Sequence, residues 1–415
     1  MGSSLEVKLS NYTSNNPVCN QHKNGWSHLW INIAQLFNFN CVSEQMSLYY
    51  DYTKILTANN RRGVEIRVTG NSFGRIDAIK NLSSFDDPRL KIYNKFLSYF
   101  MDTGYKNGVN LNGAPYDFRY IPNKNFYRKM KLLIEKTYTK NNNSKVVLIG
   151  HSLGGLLFTH FINDQNYKWN DKYIKLFIPI STPWLGTTTA LKILIEGENY
   201  GMWWTSLKDW TKLLRSYQTG LLLMPSVKKW NKNQTLIYTK NENLTISNMH
   251  KIFERLNFKF GYSRWLKIHD FLDNLQMPQV NTLCIHGYGI DTIGQLDYTN
   301  TTLFGTSRKI YHSSDGTVDR ISLNFCKGWQ HDKYYMIYKI FNNSHNGILN
   351  NYKLYRLIQS YLQKSIPHKM KKFDMVQRDV TCGFFILKIL FYNEMYMGNC
   401  CLPLSFPDMT VNRPI

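Results

Sequence analysis

A serine in a glycine-flanked turn is the residue of this chain best suited to covalent chemistry. Residues 150–154, GHSLG, form a G-x-S-x-G motif around Ser152. In such a nucleophile elbow a strand turns sharply into a helix and exposes the serine hydroxyl above a sheet. The apolar run KVVLIG precedes Ser152 and LGGLLFTHFI follows it, as a strand and a helix would. The motif therefore predicts Ser152 as the nucleophile of a serine hydrolase.

The serine needs a histidine that takes its proton and an acid that orients the histidine. With an elbow of this type, the order along the chain is serine, acid, histidine. Asp315 lies in the turn-rich segment HSSDGT after the strand-like RKIY, and is the best candidate for the acid. The rival acids are Asp291, Asp297 and Asp319.

The catalytic histidine must follow the acid, which leaves His331, His345 and His368. Only His345 lies between a strand-like run, YYMIYKIF, and a helical pattern. We therefore predict His345 as the base.

A serine that attacks a carbonyl creates an oxyanion, which two backbone N–H groups must stabilise. The residue after the nucleophile, here Leu153, supplies one of them, and a loop near the first strand of the sheet supplies the other. The sequence indicates Leu153 and does not reveal the second donor.

Strand-like and helical segments alternate around these residues. Predicted strands cover residues 63–70, 145–150, 175–180 and 282–287, and predicted helices cover 90–101, 126–138 and 348–362. The alternation is typical of βαβ units, so we expect an α/β fold with a central, mostly parallel sheet. The run before Ser152 is apolar throughout, as in a strand buried on both faces.

One region and the tail depart from this alternation. Between residues 187 and 280 the strand pattern stops and an aromatic stretch with Trp203 and Trp204 replaces it, which predicts a helical cap or lid inserted into a domain of residues 1–365. Residues 366–415 fit no pattern, and we expect a loosely attached or disordered tail.

The formal net charge of +23 suits an anionic membrane surface or a nucleic acid. The basic residues are scattered and no nucleic-acid recognition motif accompanies them, so we expect no nucleic-acid partner. The longest apolar run near the end, FFILKILF, is too short for a transmembrane anchor, and the first residues lack the apolar core of a signal peptide.

The seven cysteines have no zinc-ligand spacing, so we expect no metal and no cofactor. These cysteines are Cys19, Cys41, Cys284, Cys326, Cys382, Cys400 and Cys401. N-glycosylation sequons, which suit a secreted protein, begin at Asn11, Asn81, Asn142, Asn233, Asn243 and Asn300.

Several motifs in a fixed order resemble the lecithin:cholesterol acyltransferase family, with its lysosomal phospholipase branch. APYDFR (114–119) is similar to the family's APYDWR, GHSLGG to its elbow and STPWLGT (181–187) to its GAPWGG. SDGTV is similar to GDGTV, and SHNGIL (344–349) resembles the loop with the family histidine. The resemblance covers the chain to about residue 362 and implies the same trio: Ser152, Asp315 and His345.

The resemblance also implies an α/β-hydrolase fold with a membrane-binding loop and a lid. Cys19 and Cys41 match the disulfide that closes the membrane-binding loop, 19–41, and Cys284 and Cys326 match a second disulfide. The pairing implies an oxidising compartment. Trp26 and Trp30 in the loop and Trp203 and Trp204 in the lid are the expected lipid contacts. Arg119 either meets a phosphate or forms a structural ion pair.

One feature departs from the family. Family members place a strand and a VPG loop before the segment similar to GSSLEVKL, and this loop carries the second oxyanion donor. Here the segment begins at Gly2. We therefore expect the first strand to be missing, as in a gene model truncated at its start.

Taken together, the resemblance implies an enzyme that moves an acyl chain from a membrane phospholipid through an acyl-serine to water or a lipid alcohol. A sterol or lipid-alcohol acyltransferase is the alternative within enzymes, and an inactive lipid-binding homologue is the alternative outside them. The family implies a secreted or endolysosomal location and peripheral contact with anionic membranes.

Overall fold

The computed structural model describes residues 3–20, 25–51, 57–83, 90–258, 260–329 and 335–363. The predicted tail, 366–415, lies outside them, and so do the two rival histidines, His331 and His368.

The strands are β1 Leu5–Leu9, β2 Ser27–Trp30, β3 Tyr49–Tyr50, β4 Ala58–Asn59, β5 Val64–Val68, β6 Val146–His151, β7 Ile174–Ile180, β8 Thr235–Thr239, β9 Asn243–Thr245, β10 Thr282–Tyr288, β11 Ile290–Tyr298, β12 Arg308–Ser314 and β13 Tyr335–Phe341. The helices are α1 Ile33–Leu36, α2 Phe39–Met46, α3 Asp77–Lys80, α4 Asn94–Asp102, α5 Lys124–Lys140, α6 Leu153–Asp164, α7 Tyr167–Tyr173, α8 Thr188–Glu196, α9 Leu207–Ser216, α10 Gln218–Leu222, α11 Met249–Arg255, α12 Gly261–Asp273, α13 Arg320–Leu323 and α14 Tyr352–Gln363.

A parallel sheet in the order β13-β10-β7-β6 forms the centre of the domain. Strand β7 is apolar almost throughout because both faces of the sheet are covered by hydrophobic clusters. The prediction of an α/β fold with a parallel central sheet is confirmed.

The carboxyl ends of the parallel strands place the predicted site. Ser152 follows β6 directly and His345 follows β13 by four residues. Asp315 follows β12, a strand of the neighbouring sheet, and bridges back to Ile290 at the start of β11. Because parallel strands end at the same edge, Ser152 and His345 converge there although 193 positions separate them. Asp315 reaches the same place from the neighbouring sheet and contacts His345.

The strand predicted at 63–70 exists as β5, but its place in a parallel sheet was wrong. It pairs antiparallel with β1, which in turn pairs antiparallel with β2. The residue composition of a strand indicates how buried the strand is, but it does not indicate which strand it pairs with. The sequence pattern did not reveal β1, which pairs with β5.

The insertion between residues 187 and 280 is helical only in part. It contains α8 to α12, as expected, and also β8 and β9. Strand β8 pairs antiparallel with β9 and parallel with β11, so the insertion extends a second sheet of order β12-β11-β8-β9. The prediction that this region lacks strands was wrong, because β8 and β9 are short and are completed by pairing: β8 pairs with the distant β11, and β9 pairs with β8.

A separate hydrophobic cluster joins the N-terminal region to α9. Trp210 of α9 stacks on Phe39 at 4.3 Å between ring centroids and packs edge-on against Trp30 at 6.1 Å. The Cys19–Cys41 disulfide closes the segment that carries Phe39. Within the part of the chain that is described, no helix is long and apolar enough to cross a bilayer.

Candidate active site

Ser152 occupies a strained backbone position between β6 and α6. Its φ of 54° and ψ of −126° lie where residues with a side chain are rarely found. The turn is held by the Ser152 N–H, which donates to the Ile180 carbonyl at 2.8 Å, and by the Gly155 N–H, which donates to the Ser152 carbonyl at 2.9 Å. The strain projects the hydroxyl from the sheet, as a nucleophile elbow requires.

Two glycines allow this turn to pack closely. A Cβ atom on Gly150 would lie 2.7 Å from the Gly154 carbonyl oxygen, and one on Gly155 would lie 1.8 Å from the Thr182 hydroxyl. Both distances are far below van der Waals contact. Helix α6 can therefore start beside the end of β7 only because these positions lack a side chain.

His345 bridges the serine and the acid. Its Nε2 lies 2.9 Å from the Ser152 Oγ, and its Nδ1 lies 2.8 Å from the Asp315 Oδ2. A carboxylate accepts hydrogen bonds, so Nδ1 carries the proton and Nε2 is free to accept the serine proton. The His345 N–H also donates to the Asp315 carbonyl at 2.7 Å, which fixes the loop as well as the ring.

Asp315 is fully buried and stays ionised. Burial on its own would raise the pKa of this carboxyl, but His345 and the N–H groups of Val318 and Thr317 outweigh it and hold the pKa below its usual value. These amides donate to Oδ1 at 2.7 and 3.0 Å, which leaves Oδ2 for the histidine. The charge that orients His345 is thus maintained inside the protein.

Two of the other candidate acids have different partners, and the third lies on the surface. Asp319 accepts from the Thr188 N–H at 2.7 Å and the Thr187 hydroxyl at 3.0 Å, and so fixes the start of α8. Asp297 pairs with Arg308 at 2.6 Å. Asp291 is exposed on β11.

Leu153 is the first residue of α6, so its N–H has no acceptor within the helix. It lies directly after Ser152, the predicted nucleophile, at the positive end of the helix dipole. This is the place where an oxyanion donor is needed.

The four tryptophans predicted to contact lipid occupy three different environments. Trp203 is 84% exposed and Trp204 is 37% exposed. Trp26 is half-buried, with the Arg67 guanidinium 3.8 Å from its ring centroid. Trp30 is only 3% exposed and packs in the cluster around Trp210. The prediction of Trp30 as a lipid contact was wrong, because strand β2 turns it into the core.

Sequence reasoning missed Phe37. This residue lies between the two cysteines of the first disulfide, is 71% exposed, and stacks on Trp204 with ring centroids 5.7 Å apart. The signal in the sequence was an aromatic residue next to the polar Asn38 within the disulfide-closed segment. Phe37, Trp203 and Trp204 are called the aromatic tip below.

Arg119 forms a structural ion pair, which is one of the two roles that the sequence left open. It is fully buried, forms a bidentate ion pair with Asp117 at 2.9 and 2.6 Å, and donates to the Met46 carbonyl and to Asn60. These contacts connect the loop after α4 to the N-terminal region.

Both disulfides that the resemblance implies are formed. Cys19 bonds to Cys41 and Cys284 bonds to Cys326. Among the described residues, no group of three His, Cys, Asp or Glu side chains could hold a metal ion.

The parallel sheet and the sharp turn from β6 through Ser152 into α6 give this chain an α/β-hydrolase fold. The family model for lecithin:cholesterol acyltransferase matches residues 25–357. The chain therefore belongs to the lecithin:cholesterol acyltransferase family.

Named relatives come from plants and animals. Lecithin-cholesterol acyltransferase-like 1 of Arabidopsis thaliana is 31% identical over 348 residues, which is 78% of this chain and 79% of the relative. Phosphatidylcholine-sterol acyltransferase of Mus musculus is 29% identical over 80% of this chain and 75% of its own. Lysosomal phospholipase A and acyltransferase of Rattus norvegicus is 27% identical over 80% of both.

Proposed function

We propose that this protein is a phospholipase and O-acyltransferase that removes an acyl chain from a glycerophospholipid through an acyl-Ser152 intermediate. The observation that carries the proposal is the contact of Ser152 Oγ with His345 Nε2 at 2.9 Å, while Nδ1 of the same ring contacts Asp315 at 2.8 Å. The names of the relatives supply the substrate class.

In the first half of the reaction, Ser152 Oγ attacks the ester carbonyl and His345 Nε2 takes its proton. The Leu153 N–H donates to the oxyanion of the tetrahedral intermediate. The intermediate collapses, the bond to the glycerol oxygen breaks, and the His345 proton goes to that oxygen. A lysophospholipid leaves, and the acyl chain stays on Ser152.

In the second half, His345 removes a proton from water or from an alcohol, whose oxygen attacks the acyl-serine. Collapse of this intermediate returns the proton to Ser152 Oγ and releases a fatty acid or a new ester. Hydrolysis and transfer to an alcohol thus use the same residues. Addition of a sterol or a long-chain alcohol to the assay distinguishes the two by the appearance of an ester in place of fatty acid.

The test is fatty-acid release from phosphatidylcholine vesicles by the full chain and by Ser152→Ala. Ser181→Ala is the matched control, because Ser181 also has a positive φ, of 48°, and follows the next parallel strand, but its hydroxyl has no partner among the described residues. We expect release to fall at least about 10⁴-fold in Ser152→Ala and to persist in Ser181→Ala. Release by folded Ser152→Ala at the wild-type rate would overturn the proposal. Folded wild type without any release would favour the lipid-binding alternative.

We further propose that the aromatic tip contacts the membrane that holds the substrate. Exposed aromatic rings favour the interface between lipid and water. Lys208 and Lys212 of the adjoining helix α9 are exposed and would meet anionic head groups. Trp203→Ala should weaken binding to phosphatidylserine-containing vesicles more than Phe304→Ala, a 75%-exposed aromatic residue outside the tip. Equal binding by the two variants would refute this role.

The disulfides agree with a secreted or endolysosomal location, because such bonds persist in oxidising compartments. The six asparagines that begin the predicted sequons are all exposed, so each is accessible to glycosylation. A mobility shift after glycosidase treatment of protein from its native cell would test this location, and protein without glycans or disulfides would contradict it.

A further inference from the structure

His151, the last residue of β6, connects the His345 main chain to Tyr93, the residue before α4. Its Nε2 lies 2.8 Å from the His345 carbonyl oxygen, and its Nδ1 lies 3.2 Å from the Tyr93 hydroxyl. Tyr93 immediately precedes α4, and 58 positions separate it from His151. The three residues belong to distant parts of the chain and meet next to Ser152, the residue that follows His151.

The partners of His151 leave only one arrangement of protons. A carbonyl oxygen can only accept, so Nε2 must carry a proton and donate it to His345. Burial, and then the proximity of His345, lower the pKa of His151 to about 3, so the ring is neutral and its Nδ1 is bare. Burial raises the pKa of Tyr93 to about 12, which keeps its hydroxyl protonated and able to donate to Nδ1. The direction of donation therefore runs from Tyr93 to His151 to His345.

The His345 peptide is then held from both sides. Its N–H donates to the Asp315 carbonyl at 2.7 Å, and its carbonyl accepts from His151 at 2.8 Å. The ring of His345 has contacts at both nitrogens, but those contacts set its orientation only if the main chain of its loop is fixed. His151 is the residue before Ser152, so the hydrogen bond from His151 connects the loop of His345 directly to the end of β6, where Ser152 follows.

We propose that His151 is a positioning residue for the base: its Nε2–H holds the His345 carbonyl, and the Tyr93 hydroxyl holds His151 in the tautomer that does so. This assignment rests on the proposed function of Ser152 and His345. His151 touches neither the substrate nor the reacting atoms. Its neutral ring also places no second positive charge beside the imidazolium that His345 becomes during the reaction.

The test compares two replacements of His151 in the full chain. Leucine fills a similar volume and removes the donor, whereas the side-chain amide of glutamine can donate to the same carbonyl. For hydrolysis of soluble p-nitrophenyl butyrate, we expect His151→Leu to lower kcat about 10- to 100-fold with KM changed by less than about twofold, as for a misplaced catalytic group. His151→Gln should recover kcat to within about fivefold of wild type.

Two further variants keep the test decisive. Tyr93→Phe should lower kcat about fivefold, because Nδ1 then loses its donor and the tautomer is no longer fixed. His160→Leu is the control: His160 lies on α6 and stacks on Phe271 at 3.4 Å between ring centroids, and we expect kcat to stay unchanged. Thermal unfolding shows which variants are folded, and labelling of Ser152 by a fluorophosphonate measures the nucleophile directly.

The outcomes separate this assignment from the proposed function. Wild-type kcat in folded His151→Leu, or equal losses in the leucine and glutamine variants, would overturn the positioning role and leave the function of Ser152 intact. A wild-type protein whose Ser152 is not labelled and which hydrolyses no ester would overturn the proposed function, and the positioning role with it. Loss in His151→Leu with recovery in His151→Gln supports the assignment.

Discussion

At the scale of single residues, the carboxylate of Asp315 distinguishes this site from an ordinary buried polar cluster. Both oxygens have donors: the Thr317 and Val318 amides contact Oδ1, and His345 contacts Oδ2. A buried charge without such partners would cost several kcal/mol and would take up a proton instead. The same contacts that keep Asp315 ionised hold His345 in the tautomer that can accept from serine.

Replacement of Asp315 should therefore reduce the rate and leave substrate binding intact. An asparagine of the same shape reverses the tautomer preference, so we expect Asp315→Asn to lower kcat about 10³- to 10⁴-fold with little change in KM. Steady-state hydrolysis of a soluble ester measures both constants. Asp319→Asn is the control, because Asp319 is buried nearby but contacts Thr187 and Thr188. Activity of Asp315→Asn within about tenfold of wild type would contradict the role of Asp315.

The sequence pointed to the three residues of the site but not to their surroundings. The chain order of serine, acid and histidine selected Ser152, Asp315 and His345, because each follows a strand and the motifs occur in a fixed order. The contacts of His151 could not be predicted, because Tyr93 and His345 come near it only through the packing of α4 and the return of β13. Trp30 was misassigned for a similar reason: its burial depends on Trp210, 180 positions later.

At the scale of elements, the fit of α6 against the β7–α8 segment determines the position of Ser152. Gly155 faces Thr182, and a methyl group at position 155 would overlap the threonine hydroxyl. Gly154, one residue earlier in the same helix, has no atom within 4 Å of the place where a Cβ would be. Position 155 therefore has no room for a side chain, whereas position 154 does.

Gly155→Ala should destabilise the protein by about 1–3 kcal/mol, the usual cost of overpacking. Gly154→Ala should be neutral or slightly stabilising, because alanine favours the helix over glycine. Chemical denaturation of both variants measures the difference. Since the obstacle is the Thr182 side chain, adding Thr182→Gly should reduce the cost of Gly155→Ala relative to the same change in wild type. Equal stability of Gly154→Ala and Gly155→Ala would refute the packing argument.

The pairing of elements was harder to predict than their existence. The structure has strands at all four predicted places, and the helix predicted at 126–138 is longer, Lys124–Lys140. Val64–Val68 nevertheless pairs antiparallel with β1, and Thr235–Thr239 extends the sheet of β11. Strand pairing depends on contacts between residues far apart in sequence, which local composition does not encode.

At the scale of the whole molecule, buried histidines make the folded state sensitive to acid. His286 on β10 is 3% exposed, and burial lowers its pKa to about 4. Below the unfolded-state pKa of about 6.5, the unfolded chain takes up a proton that the folded chain does not. The stability gained from neutral His286 is therefore complete above about pH 6.5 and is lost as the pH falls towards about 4.

His286→Leu should reduce the loss of stability between pH 7 and pH 5. The two pKa values give a contribution of about 2 kcal/mol for this histidine at pH 5, and leucine does not titrate. The replacement removes the contact of His286 Nδ1 with the Gly287 carbonyl at 2.9 Å, whereas Nε2 has no partner among the described residues. The loss of that contact lowers stability at both pH values, so the difference between them reports the titration. Urea denaturation of wild type and variant at both pH values measures the difference. The same pH dependence in both proteins would contradict the assignment.

Capture of the acyl-enzyme tests the proposed mechanism most directly. The full chain is mixed with phosphatidylcholine vesicles, quenched in acid within the first turnovers, digested, and analysed by mass spectrometry. We predict a fatty-acyl ester on the peptide that contains Ser152, none on the peptide that contains Ser181, and no adduct in Ser152→Ala. Acyl groups on another residue, together with undiminished fatty-acid release by Ser152→Ala, would contradict the central claim that this chain works through an acyl-Ser152 intermediate.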